Sequence, residues 1–345
     1  MKGFFFALAL SFVPGSPTMA QSVIEPGEWS AYVEAYVTDD GRVVDIANNG
    51  ISHSESQGYG LVLSALAGDR ATFERIWSFT NTSLLVRDDG LAGWLWDPAA
   101  EPRLKDVNNA TDGDILIAYG LVLGSRAWSV ADYDVHARLI IAAIRDKALV
   151  DAAGMPALLP GIVGFDNDDR GPILNPSYWV FEALSAFADV DETVDWSSVS
   201  DTGVELVRRA RLTKTGLPPD WLVLGESGAI GPAPGFPVEF GYNGIRIPLY
   251  LMRSGANPTL LEPFRRSADS QGLYRIDTAT GGRIEPISEP GYRLLVAAMN
   301  CVVDGTDVPS ELQTMAPTSY YAATLQLLTL DFLRREHPDC VEDTP

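Results

Sequence analysis

The stretch Asn108-Asn109-Ala110-Thr111-Asp112-Gly113-Asp114, running on into Ile115-Leu116-Ile117-Ala118-Tyr119-Gly120-Leu121-Val122-Leu123, sets the fold class. Its polar opening can cap a helix: Thr111 or Asp112 can accept from the first-turn amides, and Asp114 lies in the favourable field of a helix N-terminus. The apolar positions that follow recur at i, i+3 and i+4, the spacing of one helical face. The same spacing returns in segments 29–37, 57–66, 72–79, 135–144, 178–187, 204–212, 245–252, 260–268, 291–298 and 322–333, joined by loops rich in Gly, Pro, Asp and Asn. Strand-like alternation is rare and no βαβ rhythm is present, so an all-α chain of paired helices is expected. Periodicity leaves two arrangements open, a toroid and an open solenoid.

The 345 residues are 46% hydrophobic and 21% charged, with 25 Lys+Arg against 46 Asp+Glu and a net charge of -21. This excludes a disordered tail and a small disulfide scaffold. It also argues against nucleic acid or an anionic membrane surface as partner, because no basic surplus is available to neutralise phosphates. The 8 Trp, 12 Tyr and 13 Phe, beside so many carboxylates, suit a carbohydrate cleft, although most of the rings are expected in the core.

At the N-terminus Met1-Lys2-Gly3, an apolar run from Phe4 to Val13 and a small-residue site ending at Ala20 make up a secretory signal, residues 1–20, cut before Gln21. No later apolar run approaches the roughly 20 residues of a membrane span. The mature chain is therefore expected to be secreted or periplasmic, without membrane insertion, and monomeric. Residues 21–345 are expected to form one domain, since the helical pattern resumes directly after the Gly/Pro-rich stretch 225–237. Cys301 and Cys340 are the only cysteines; an oxidising compartment permits their pairing, and a chain of this size does not depend on it.

Several chemistries are unsupported. The three His residues, 53, 136 and 337, are scattered and two distant Cys do not complete a zinc set. Gly58-Tyr59-Gly60 lacks the third glycine of a dinucleotide fingerprint, and no phosphate-cradling Gly-Lys-Ser/Thr occurs. Gly225-Glu226-Ser227-Gly228 is one residue short of a nucleophile elbow. The run from Asp166 through Asp168 and Asp169 to Gly171 begins like a calcium loop but has Arg170 and Ser177 where acidic ligands belong, so it reads as a surface turn. No metal and no cofactor are expected. What remains is carboxylates and aromatics, the equipment for acid/base work.

Two carboxylate clusters open apolar helices. In Ser52-His53-Ser54-Glu55 the spacing is that of a capping box, with Glu55 reaching back to the N-cap amide; in the second cluster Asp112 and Asp114 have the capping roles given above. Both openings also carry spare polar groups. These residues bear a resemblance. Ser54-Glu55-Ser56-Gln57-Gly58-Tyr59-Gly60 with Phe73 and Trp77, Ala110-Thr111-Asp112-Gly113-Asp114-Ile115-Leu116-Ile117-Ala118 with Trp128, Asn175-Pro176-Ser177-Tyr178, Pro219-Asp220-Trp221, and Phe240-Gly241-Tyr242-Asn243-Gly244-Ile245-Arg246-Ile247-Pro248-Leu249-Tyr250 occur in this order. Together they resemble glycoside hydrolase family 8, and by length and export signal the periplasmic endoglucanases that accompany bacterial cellulose synthesis.

The resemblance implies an (α/α)6 barrel and an inverting cut of β-1,4-glucan by an endo-β-1,4-glucanase, with a β-1,4-linked polysaccharide as partner and a cellulose synthase complex as a further one. Glu55 matches the general acid, and Asp112 the residue that binds and helps distort the sugar at the cleavage point. Tyr178, Tyr242 and Arg246 match residues lining that point, with Trp94, Trp96 and Trp128 as stacking platforms or, for Trp128, core. One position departs: Asn243 stands where the family's cellulases carry the Asp that serves as base. Inversion needs a carboxylate about 6.5–9.5 Å from the acid, which leaves Asp112, Glu239 or one of Asp166, Asp168 and Asp169 as base. The alternatives are a slow enzyme in which Asn243 orients the water, a chitosanase or other β-1,4-glycanase, and a catalytically weak glucan-binding protein.

Overall fold

The computed structural model describes residues 22–166, 170–211 and 215–341; the signal read at 1–20, and Asp168 and Asp169, lie outside them. Among the described residues are eleven α-helices: α1 (Pro26–Tyr36), α2 (Ser54–Ala67), α3 (Arg70–Ser83), α4 (Thr111–Trp128), α5 (Ala131–Lys147), α6 (Phe181–Ala188), α7 (Trp196–Arg209), α8 (Ile247–Arg253), α9 (Glu262–Ser267), α10 (Pro290–Asp304) and α11 (Tyr320–Glu336). Each periodic segment of the sequence falls on one of them. Neighbour follows neighbour in a closed ring, α2–α4–α6–α8–α10–α11 and back to α2. Outside it α3 packs on α2, α5 on α4, α7 on α6 and α9 on α10, with α1 against α11. Between α10 and α11 the place of an outer helix is taken by the 3-10 turn Ser310–Leu312. The toroid, an (α/α)6 barrel, is realised and the open solenoid is not.

Burial separates the two rings. Every residue of α4 from Thr111 to Val122 is buried, as is every residue of α11 from Ala322 to Leu333, and a helix apolar on all sides belongs inside. The outer α7 buries only Val199, Thr202, Gly203, Leu206 and Val207 beyond its first residue, a single stripe. Tyr32 of α1 shares a hydrogen bond of 2.8 Å with Thr324, and Arg334 of α11 donates to Glu28 of α1 at 2.7 and 3.0 Å. At mid-ring Arg253 donates to Glu182 at 2.7 Å and to Asp331 at 3.0 Å, while the Tyr119 hydroxyl donates to Glu182 at 3.3 Å. One buried cation thereby ties α4, α6, α8 and α11. Cys301 and Cys340 form a disulfide that pins the C-terminal turn to α10.

The contact that positions the site is α2 on α4. A Cβ at Gly58 would lie 2.5 Å from Leu116 Cβ, one at Gly120 2.5 Å from Leu61 Cβ, and one at Gly113 2.0 Å from Ser54 Oγ. The pairs advance together along both helices, so α2 and α4 run parallel and start side by side, with backbone approaching backbone wherever glycine stands. Gly120→Ala is expected to cost about 1–3 kcal/mol, the usual penalty for an overpacked core, read as a lowered Tm with activity retained. Gly113→Ala, whose Cβ would also lie 2.8 Å from Glu55 N, is expected to lose stability and activity together.

Beside the helices, the described residues form four small antiparallel sheets, three of three strands and one of two. Their strands are only two to five residues long, too short to display alternation in the sequence. Ser52–His53 pairs with Leu95–Trp96 and leads into α2. Glu239–Phe240 pairs with Ile276–Asp277 shortly before α8. No helix among the described residues is long and apolar enough to cross a membrane.

Candidate active site

Glu55 and Asp112 are each the second residue of their helix, α2 and α4. Because those helices start side by side, two carboxylates meet at two adjacent N-termini, where the unpaired amides favour negative charge. The capping box is one residue away from where the sequence suggests it. His53 is the N-cap of α2; its Nδ1 accepts from Ser56 N at 3.0 Å, and Ser56 Oγ accepts from His53 N at 3.1 Å. Ser52 instead donates to Val43 O. Glu55 is thus free of any capping duty. Asp112 does accept from a first-turn amide, Gly113 N at 2.8 Å.

Both carboxylates are held by Arg246. Its Nη1 donates to Glu55 Oε2 at 2.7 Å, and its Nη2 to Asp112 Oδ2 at 2.6 Å and to Ser177 Oγ at 3.2 Å. The guanidinium is 1% exposed, lies 5.4 Å from the centroid of the Tyr178 ring, and leaves Nε without a partner. Burial opposes its charge, but Glu55, Tyr321 and Asp112 outweigh burial and keep it a cation. Burial pushes Asp112 up to about 6, helped by Glu55 and opposed by Arg246. Asp112 therefore titrates near the working range of an enzyme while Glu55 retains a path to solvent, its side chain being 20% exposed.

Two cavities, of about 420 and 670 Å³, share Asn48, His53, Glu55 and Asn243. The first is walled by Tyr242, Tyr292, Tyr320 and Tyr321, and carries Asp45 and Glu289. The second holds Asp112, Tyr178 and Trp94, and at its far side a face-to-face stack in which Trp221 lies 4.4 Å from Phe236 and 5.6 Å from Phe165. Apolar faces with a few convergent polar groups are the usual makeup of a sugar or small-ligand site. The two cavities form one cleft, and among the described residues Glu55 is the only carboxylate common to both.

The family model described as glycosyl hydrolases family 8 matches residues 1–335. The chain belongs to that family. It is 37% identical over 309 residues to a probable endoglucanase of Novacetimonas hansenii, covering 87% of this chain and 88% of the relative. Among solved structures it resembles the endo-beta-1,4-glucanase CMCax from Acetobacter xylinum, with a TM-score of 0.83 at 35% identity over 92% of this chain and 99% of the other. The family 8 endoglucanase Cel10 from Klebsiella pneumoniae gives 0.81 at 30% identity, covering 89% and 99%.

In this glycoside hydrolase of family 8 the remaining candidates are scattered unevenly. Tyr178, Tyr242, Asn243 and Trp94 line the cleft. Trp96 is 8% exposed and sits between Phe79 and the guanidinium groups of Arg42 and Arg103, outside both cavity walls. Trp128 packs edge-on against Phe73, as core. Asp166 is exposed and Glu239 is bound through both oxygens by Arg275, at 3.0 and 2.8 Å. Asp45, Asp106 and Glu289, unmarked in the sequence, do line the cleft. Only the fold reveals them, because they lie outside every periodic segment and motif of the sequence.

Beneath the site lies Asp114, fully buried, accepting from Ala92 N at 2.8 Å and from Asn109 Nδ2 at 2.9 Å. Burial pushes its carboxyl up to about 7. A carboxyl raised in the folded state binds more protons there than in the unfolded chain, so its stabilising contribution is complete below about pH 4 and is lost as pH rises toward 7. At about 1.4 kcal/mol per unit this is a loss of up to about 4 kcal/mol. Asp114→Asn is expected to flatten that decline, which urea titrations at pH 4.5 and 7.5 will measure.

Proposed function

We propose that the protein is an exported endo-1,4-β-glucanase that hydrolyses cellulose or a related β-glucan with inversion. The observation that carries this reading is the place of Glu55, among the described residues the one carboxylate shared by two aromatic-walled cavities of a single cleft. A glucan threading both cavities presents an internal bond to Glu55, and cleavage there is endo cleavage. Glu55, as general acid, passes its proton to the glycosidic oxygen while water attacks the anomeric carbon from the opposite face. Asp112 and Arg246 hold the sugar at the cleavage point, and Tyr178 covers one of its faces. Arg246 holds both carboxylates, Asp112 buried in the interior and Glu55 at the cleft, where its side chain is 20% exposed.

The test is a panel of carboxymethylcellulose, mixed-linkage glucan, xylan and chitosan, with product anomers followed by NMR. Wild-type protein is expected to release reducing ends from the first two, the α-anomer appearing first. Activity on chitosan alone makes it a chitosanase, and binding without turnover on every substrate makes it a glucan-binding protein. Export and removal of the signal predict an N-terminus at Gln21 in protein recovered from the periplasm or medium. Co-purification with a cellulose synthase complex is the expected result for a cellulose-producing host.

A further inference from the structure

Asn243 lines both cavities at the point where they meet Glu55, yet an amide is too weak a base to deprotonate water by itself. Directly behind it lies Asp220, only 4% exposed. Asp220 Oδ1 accepts from Gly241 N at 2.8 Å and Gly244 N at 2.9 Å, and its Oδ2 accepts from Asn243 N at 3.3 Å. A Cβ at Gly244 would lie 2.9 Å from Asp220 Oδ1 and 2.5 Å from the Phe240 ring, so glycine is what lets this turn close over the carboxylate. The Asn243 side-chain amide lies beside the same carboxylate and favours its charged form. A carboxylate only accepts, so a relay through this amide requires Nδ2 to face Asp220 and Oδ1 to face the cleft.

We propose that Asp220 takes up, through the Asn243 side-chain amide, the proton lost by the attacking water. This rests on the hydrolytic reading above. The water oxygen bonds to the anomeric carbon as the bond from that carbon to the glycosidic oxygen breaks, and the leaving oxygen takes the Glu55 proton. One water proton moves to Asn243 Oδ1 while an Nδ2 proton moves to Asp220, leaving the side chain as its imidic acid tautomer. The cycle closes when Nδ2 recovers its proton from Asp220, Oδ1 gives its proton to solvent, and Glu55 is reprotonated. The other carboxylates are less well placed. Both oxygens of Glu239 bind Arg275 and both of Glu289 bind Ser319. Asp45 Oδ2 accepts from Asn48 and faces His53, and Asp112 shares the guanidinium of Glu55. Asp106, in the larger cavity, is the rival.

Asp220 acts through Asn243 and is a positioning residue, so its test must separate proton uptake from support of the turn. Asp220→Asn is expected to lower kcat on carboxymethylcellulose about 100-fold or more, within the range of general base catalysis, with KM unchanged. In an Asn243→Asp background, where a carboxylate reaches the water directly, the same change should cost less than about 10-fold, because the two sites are coupled. Equal losses in both backgrounds reduce Asp220 to a structural prop and overturn the proposal. So does a large loss in Asp106→Asn with none in Asp220→Asn. If Asp220→Asn does not fold, Asn243→Ala keeps all three backbone bonds to Asp220 and must itself lose about 100-fold; full activity there overturns the relay. A wild-type protein inert on every glycan instead defeats the hydrolytic reading, and this proposal with it.

Discussion

Glu55→Gln is expected to abolish release of reducing ends from carboxymethylcellulose, by about 10³-fold or more, while leaving the melting transition in place. The amide keeps the shape of the side chain and an acceptor for Arg246 Nη1, so the local packing survives. What it lacks is a transferable proton, and general acid catalysis contributes about 10²–10⁴ in rate. Glu55 takes no part in the cap of α2, which belongs to His53 and Ser56, so removal of its charge leaves the helix start intact. Unchanged turnover in this variant would remove Glu55 from the mechanism altogether.

Arg246→Met is expected to be the most damaging single change. Two carboxylates lose their common partner, and Asp112, 2% exposed, is left charged in the interior. Breaking a buried pair by removing one member typically costs about 3–5 kcal/mol. The sign with pH is fixed: Asp112 without Arg246 titrates above its present value of about 6, so the variant is weakest near pH 8 and recovers toward wild-type stability as acid neutralises the carboxyl. Denaturant melts at pH 5 and pH 8 will show it. Adding Asp112→Asn should restore much of the stability at pH 8 and none of the activity, which separates the structural part of the ion pair from the chemical one.

The helical architecture was legible because inner and outer helices differ in how wide an apolar face they show. The continuous burial of α4 and α11 and the narrow stripe of α7 both derive from the same i, i+3, i+4 spacing. Closure of the ring was not legible from periodicity, since a solenoid has the same local pattern; it followed from the ordered motifs. Glu55, Asp112 and Arg246 were also found through those motifs. Without them, the nearest local signal at Glu55 is a capping box, and it names the wrong residues: a box read from Ser52 gives Glu55 a structural task that His53 and Ser56 perform. Trp96 illustrates the opposite difficulty. An aromatic near a cleft reads as a platform, but two arginines and a phenylalanine already occupy its surroundings. Asp220 lies in the Pro219-Asp220-Trp221 motif, but no task could be read for it there, because its partners are three backbone amides from a turn some twenty residues away.

The seam between α1 and α11 governs when the molecule can become itself. Thr324 and Arg334 meet Tyr32 and Glu28 across roughly the whole length of the described chain, so α1, the first described helix, gains these partners only when the last is present. Closing contacts so distant in sequence is slow. A chain truncated before α11 is therefore expected to leave α1 open to proteases while α2 keeps its packing on α4.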